Sequence, residues 1–172
     1  PFFTLSAINS GVKDVREVID RARKSDGLFT TKNPILFIDE IQRLNKGQQD
    51  VLLPAVEHGD IILIGATTEN PYFEVNAALL SRSQIYQLEP LSESNMRRVA
   101  EMALESPKGL GKYESQVHQD ALDHLIRVSN GDARVLLNTL EFAVMTTTPN
   151  EEGVRVIDAE TAEEAAQAQR VR

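Results

Sequence analysis

The sequence predicts an α/β fold, a parallel sheet flanked by helices, followed by a small all-helical lid. Three observations carry that prediction. Two apolar runs, Pro34 to Ile38 and Ile61 to Ala66, are continuous rather than alternating, as in strands of a parallel sheet covered by helices. Each is preceded by a stretch with one apolar face at helical spacing, so helix and strand alternate through the first half of the chain. From Ser92 onward strand signals stop and amphipathic helices take over.

Taken in order, Phe2 to Ile8 has strand composition, and Asn9-Ser10-Gly11 behind it is a turn cluster. A helix follows from Val12 to Lys24, because Val12, Val15, Val18, Ile19 and Ala22 keep one face while Lys13, Asp14, Arg16, Glu17, Asp20 and Arg21 lie elsewhere. Ser25 to Asn33 reads as a loop. The next strand runs into Asp39 and Glu40 and is expected to be central and covered on both faces. Asn45 is placed to cap a helix through Glu57 that turns Val51, Leu52, Ala55 and Val56 to the sheet, and His58-Gly59-Asp60 ends it. Ile61 to Ala66 is expected as a second buried strand, with the polar, turn-forming Thr67-Thr68-Glu69-Asn70-Pro71 at its carboxyl end. Ala77 to Ser81 reads as a short helix ending at Arg82, and Gln84 to Leu88 as a further strand. Helices are then predicted over about Ser94 to Leu104, His118 to Val128 and Asp132 to Thr147, the first two split by the loop Pro107 to Gly111. The domain reading is therefore 1–90 for the partial α/β core, 91–149 for the lid, and 150–172 for the start of a following helical region.

Composition narrows the function classes. Of 172 residues, 41% are hydrophobic, enough for a packed interior, and no apolar run approaches the roughly 20 residues a membrane helix needs. Zero cysteines exclude disulfides, zinc-thiolate sites and thiol catalysis, and agree with a reducing cytoplasm. The balance of 26 acidic against 18 basic residues gives a formal charge of −8, which disfavours broad coating of nucleic acid, since that affinity comes from Lys and Arg on phosphates. Any DNA contact is expected from a local patch or from parts beyond this stretch. A chain that opens on Pro1 and enters a strand at once reads as part of a larger protein.

The candidate chemistry gathers at strand ends. In open α/β sheets the ligand sits beyond the carboxyl ends of the strands, where Asp39 and Glu40 stand. With a nucleoside triphosphate bound, Asp39 would orient a magnesium ion and Glu40 would polarise the attacking water; a solvated turn is the plain alternative. Thr67, Thr68 and Asn70 could reach a γ-phosphate or that water, or serve only as turn and capping residues. Arg82, where a helix gives way to extended chain, suits an arginine finger acting on a neighbouring subunit or an ordinary surface cation. Arg134, in Gly131-Asp132-Ala133-Arg134, lies in the first turn of a helix, where the dipole disfavours a cation, so Asp132 or a phosphate should compensate it. No Gly-Lys-Ser or Gly-Lys-Thr phosphate loop occurs in the 172 residues, and the Gly109, Gly111 pair is not one.

In register, the strand ending Asp39-Glu40, the segment Gly65 to Pro71, Leu80-Ser81-Arg82 and Gly131 to Arg134 resemble Walker B, sensor 1, arginine finger and sensor 2 of an AAA+ ATPase, a P-loop NTPase fold. The wording Asp39 to Lys46, then Gln48-Gln49-Asp50 and Leu53 to Glu57, resembles the RarA/MgsA family, replication-associated recombination protein A and relatives of the Werner helicase-interacting protein. Gln42 stands where that family usually has His. The resemblance runs from about Phe2 to Thr147 and implies a clamp-loader-like, DNA-stimulated ATPase using ATP and Mg²⁺. It implies a homo-oligomer acting at stalled forks and single-strand/double-strand junctions, with single-strand-binding protein as a candidate partner, in the cytoplasm. By that match Asp39 and Glu40 serve the metal and the water, Thr68 with Thr67 or Asn70 senses the γ-phosphate, Arg82 acts in trans and Arg134 in cis. The Holliday-junction branch-migration motor, a clamp-loader subunit and a non-catalytic docking module are the alternatives. The first strand and phosphate loop of that family are expected upstream of Pro1, so this stretch alone is expected not to hydrolyse ATP.

Overall fold

In the computed structural model, residues 1–25 and 33–170 are described, and most of the loop read between Ser25 and Asn33 lies outside them. The chain divides into two compact units, Pro1–Tyr86 and Gln87–Arg172, each with its own core.

The first unit is a three-stranded parallel sheet in the order β1 (Phe2–Ser6), β2 (Ile35–Asp39), β3 (Ile62–Gly65). Register pairs Leu5 with Ile38, Ser6 with Asp39, and Ile38 with Gly65, so the three carboxyl ends finish side by side. Connections through α1 (Val12–Ser25) and α2 (Lys46–Glu57) are the long crossovers that parallel neighbours need. Both helices feed one cluster, in which Val15, Ile19, Leu52 and Ala55 pack with Leu5, Leu36 and Ile38. At roughly 1.5–3 kcal/mol for each large apolar side chain removed from water, this contact is what holds the sheet.

The expected cover on both faces is only half realised. Leu36 and Ile38 are fully buried, but Ile35 and Phe37, on the opposite face, are half-buried, and Phe37 stacks on the exposed Phe2. β3 departs further from the buried strand expected: Ile62 and Ile64 stay 48% and 44% exposed, because both helices lie on the other side. Gln84 to Leu88 forms no strand; alternation makes a strand only where a neighbouring ladder receives it, and none does among the described residues. After β3, the segment read as a turn, Thr67 to Pro71, leads into a one-turn helix, α3 (Pro71–Glu74), capped by Asn70 and started by Pro71, and α4 (Ala77–Leu80) follows.

The second unit is mainly helical: α5 (Glu93–Glu105), α6 (Gln119–Ser129), α7 (Ala133–Thr146) and α8 (Ala159–Arg170). Met96, Leu125, Leu136, Leu140 and Ile157 form its dry centre, and Ala162 and Ala165 of α8 join the same cluster. Against the expectation that strands end at Ser92, a short parallel pair forms here, β4 (Ser115–Val117) with β5 (Arg155–Ile157). At Gly131, φ is +77° and an added Cβ would come within 2.6 Å of Pro90 Cβ, so only glycine lets the Pro90–Leu91 backbone cross there. No helix among the described residues is long and apolar enough to cross a membrane.

Candidate functional site

Asp39 is the last residue of β2, and its exposed side chain follows from that place at the rim. Its Oδ1 accepts the Glu40 N–H at 3.0 Å, which leaves Oδ2 without a partner among the described residues. Glu40 then turns the chain sharply, with φ 51° and ψ 51°, into a 3-10 turn over Ile41–Arg43. Its carboxylate is 3.9 Å from Arg43 Nε, a loose and solvent-exposed pair that contributes little.

Ala66 fixes this turn from the neighbouring strand. The Ala66 N–H donates to Ile38 O at 2.9 Å, and the Ile41 N–H donates to Ala66 O at 3.0 Å. The residue before Thr67 is thus bonded on both sides of the Asp39-Glu40 pair, which places the two strand-end segments against each other. Gly65 permits the approach, since a Cβ there would meet Ile41 Cδ1 at 2.9 Å.

The three polar residues of the β3 loop divide their tasks. Thr67 Oγ1 accepts the Glu69 N–H at 3.0 Å, and Asn70 Oδ1 accepts the Tyr72 N–H at 3.0 Å, so both shape the loop and the start of α3. Thr68 is exposed and its hydroxyl has no hydrogen bond among the described residues. It is the one of the three with both lone pairs and proton available.

Arg82 belongs to the same unit and is held within its own chain. Its Nη2 lies 2.6 Å from Glu57 Oε1, and its Nη1 donates to Ala78 O at 2.9 Å and to Ser81 Oγ at 3.1 Å. Arg134 lies in the second unit, in the first turn of α7. Asp132 does not neutralise its guanidinium: Oδ1 of Asp132 accepts the backbone N–H groups of Arg134 and Val135, capping the helix, and the exposed Arg134 side chain has no acidic partner among the described residues. A cation left at a positive helix end is the arrangement in which an incoming anion gains most.

The strand-end carboxylate suits magnesium. Magnesium prefers oxygen ligands and is usually held by one or two carboxylates together with phosphate oxygens and waters. A strand-end Asp with a free oxygen suits that share, and no cluster of three metal-ligating side chains exists among the described residues to offer an all-protein cage.

Sequence reasoning passed over Gln48 and Gln49 as parts of this site. Both are buried on the inner face of α2, 7% and 1% exposed, and their amides bond backbone of the strand-end loops. Two adjacent amides on a helix face that should meet the sheet was the available sign. Gln42, beside them in the 3-10 turn, buries an Oε1 with no donor among the described residues.

Residues 2–91 match the family model of the AAA ATPases, the ATPase family associated with various cellular activities, and residues 111–172 match the AAA C-terminal domain. The chain is 51% identical over 140 residues to ATPase WRNIP1 of Dictyostelium discoideum, covering 81% of this chain and 16% of that protein. It is 45% identical over 153 residues to replication-associated recombination protein A of Haemophilus influenzae, covering 88% and 34% respectively. With the Escherichia coli K12 protein of that name it shares 42% over 163 residues, 94% of this chain and 36% of the other, so it spans about a third of these bacterial relatives. Among solved structures, the Thermotoga maritima RuvB Holliday junction branch migration motor superposes with a TM-score of 0.73 at 20% identity, covering 97% of this chain and 52% of that one, which speaks for the fold. The chain belongs to the AAA family of ATPases and is similar to replication-associated recombination protein A and ATPase WRNIP1.

Proposed function

We propose that these residues form the hydrolytic centre and lid of a clamp-loader-like ATPase that couples ATP hydrolysis to DNA remodelling or recombination at stalled replication forks. The observation that supports this reading is the pair of backbone hydrogen bonds that Ala66 makes with Ile38 and Ile41, which holds the residue before Thr67 to the turn through Asp39-Glu40. The name of one relative, replication-associated recombination protein A, supports the setting in replication and recombination.

When bound, magnesium neutralises phosphate charge during transfer. Asp39 presents its free Oδ2 to that ion. Glu40, in its sharp turn, accepts a proton from the attacking water, and Thr68 orients the water or the terminal phosphate through its unengaged hydroxyl. Thr67 and Asn70 act on the loop that carries Thr68. Arg134 offers its unpaired cation to phosphate. Arg82 serves a neighbouring copy in a homo-oligomer only after leaving Glu57, so assembly and release of that ion pair are coupled in this scheme. DNA stimulation and single-strand-binding protein as a partner belong to the same proposal, in the cytoplasm.

In the full-length protein, Glu40→Gln is expected to lower ATP turnover by on the order of a hundredfold while nucleotide binding persists, as loss of a general base does. The 172-residue chain alone, with no Gly-Lys-Ser/Thr loop, serves as the control expected to show no turnover. Wild-type turnover by the Glu40→Gln protein would overturn the reading.

A further inference from the structure

Helix α2 spends two core positions on amides. Gln49 is almost completely buried, and a Met or Leu there would fill the same space without the cost of desolvating an amide. The amide is fully engaged instead. Its Nε2 donates to Leu44 O at 3.1 Å and to Glu74 O at 2.9 Å, and its Oε1 accepts the Asn76 N–H at 2.7 Å. Gln48 does the complementary work: Nε2 donates to Ser10 O at 2.8 Å, and Oε1 accepts the Asn45 N–H at 2.8 Å.

Apart from the Asn45 N–H bond to Gln48 Oε1, which belongs to the cap of α2, these bonds are not what that helix needs to start. The Asn45 side chain, bonded to the Gln48 N–H at 2.9 Å, already caps it. What the two amides join is the loop after β1, at Ser10, the end of the loop after β2, at Leu44 and Asn45, and the end of α3 with the turn behind it, at Glu74 and Asn76. The second holds Glu40, and α3 follows directly on the loop that holds Thr68. We infer that Gln49, supported by Gln48, is a positioning residue for hydrolysis: by holding the far end of α3 to the end of the loop bearing Glu40, it fixes the loop bearing Thr68, which leads into α3, against that of Glu40. This rests on the ATPase reading above.

Catalytic groups a fraction of an ångström out of place lose rate while substrate binding elsewhere persists, so the signature is a fall in kcat with little change in KM. A single variant and a matched pair test it in the full-length protein. Gln49→Met keeps the volume and removes every bond; it is expected to lower kcat on the order of tenfold with KM for ATP within about twofold. Asn76→Pro deletes the N–H that meets Gln49 Oε1 along with the Asn76 side chain, at a site already set for proline, with φ −54° and an extended Val75 before it, so its difference from Asn76→Ala isolates that one bond. Its comparator Asn76→Ala keeps that N–H and removes the side-chain bonds to Lys46 O and Asp50. Asn76→Pro is expected to reproduce the kcat loss and Asn76→Ala to keep most of the rate, so the inference stands or falls even if Gln49→Met does not fold. Unchanged kcat in Asn76→Pro, or a KM rise at constant kcat, overturns it. Glu40→Gln run alongside separates the failures: if that variant is inactive while Asn76→Pro is normal, only the positioning role is lost.

Discussion

At Glu40 the backbone takes a left-handed conformation that costs a residue with a Cβ about 1–2 kcal/mol. A glycine would sit there without strain, but it would bring no carboxylate to the rim. The strain is therefore offset by the bonds on either side, from Ile41 N–H to Ala66 O and from Ala66 N–H to Ile38 O. Two truncations separate backbone from side chain, since Glu40→Gly and Glu40→Ala both remove the carboxylate. The glycine variant is expected to be the more stable by about 1 kcal/mol in urea unfolding, and both to be inactive in the full-length ATPase. Equal stabilities would mean that the turn relaxes. At this scale the sequence was partly legible: Asp39 and Glu40 stand out because charge abruptly follows apolar residues, whereas nothing in a string of letters shows that Thr67 and Asn70 spend their oxygens on local N–H groups and Thr68 does not.

At the scale of elements, caps decided what could be read. Asn45 with Gln48 forms a reciprocal capping box, and Asp132 receives two N–H groups of α7, as short polar side chains before apolar periodicity foretell. The β4–β5 pair was not legible because three-residue strands have no period to detect, and their ladder joins segments nearly forty residues apart. The start of α8 gives a pH-dependent test. Asp158 accepts from the Thr161 N–H at 2.9 Å and from its hydroxyl at 2.7 Å, and the backbone bond first, then the hydroxyl, hold its carboxyl below the usual range. A lowered folded-state pKa means the stabilisation is complete above the unfolded carboxylate range and is lost as pH falls through the folded value. The protection factor of the amides in the first turn of α8, exchange divided into the intrinsic rate at each pH, is expected to fall over that acid interval, and Asp158→Asn to flatten the response. An identical acid profile in both proteins would show that another group governs the end of the helix.

At the scale of the whole molecule, the two units draw on separate clusters, one centred on Leu36, Ile38 and Leu52, the other on Leu125, Leu136 and Leu140. Their helix and strand order follows from periodicity, but sheet coverage does not, because a continuous apolar run says that a strand can be covered twice and not that it is. The uncovered side of the sheet, with Phe2, Ile62 and Ile64 outward, sits on a molecule of formal charge −8. Colloidal behaviour follows from these opposed tendencies. Like-charge repulsion between particles reaches about 10 Å in 0.1 M salt and about 3 Å in 1 M, so added salt should let greasy sides meet. Light scattering from the isolated 172-residue polypeptide is expected to report a particle mass that climbs with ionic strength, and Ile62→Lys with Ile64→Lys to hold it constant, as charges on an outer strand do. A mass indifferent to salt would mean that this side is too small to drive clumping.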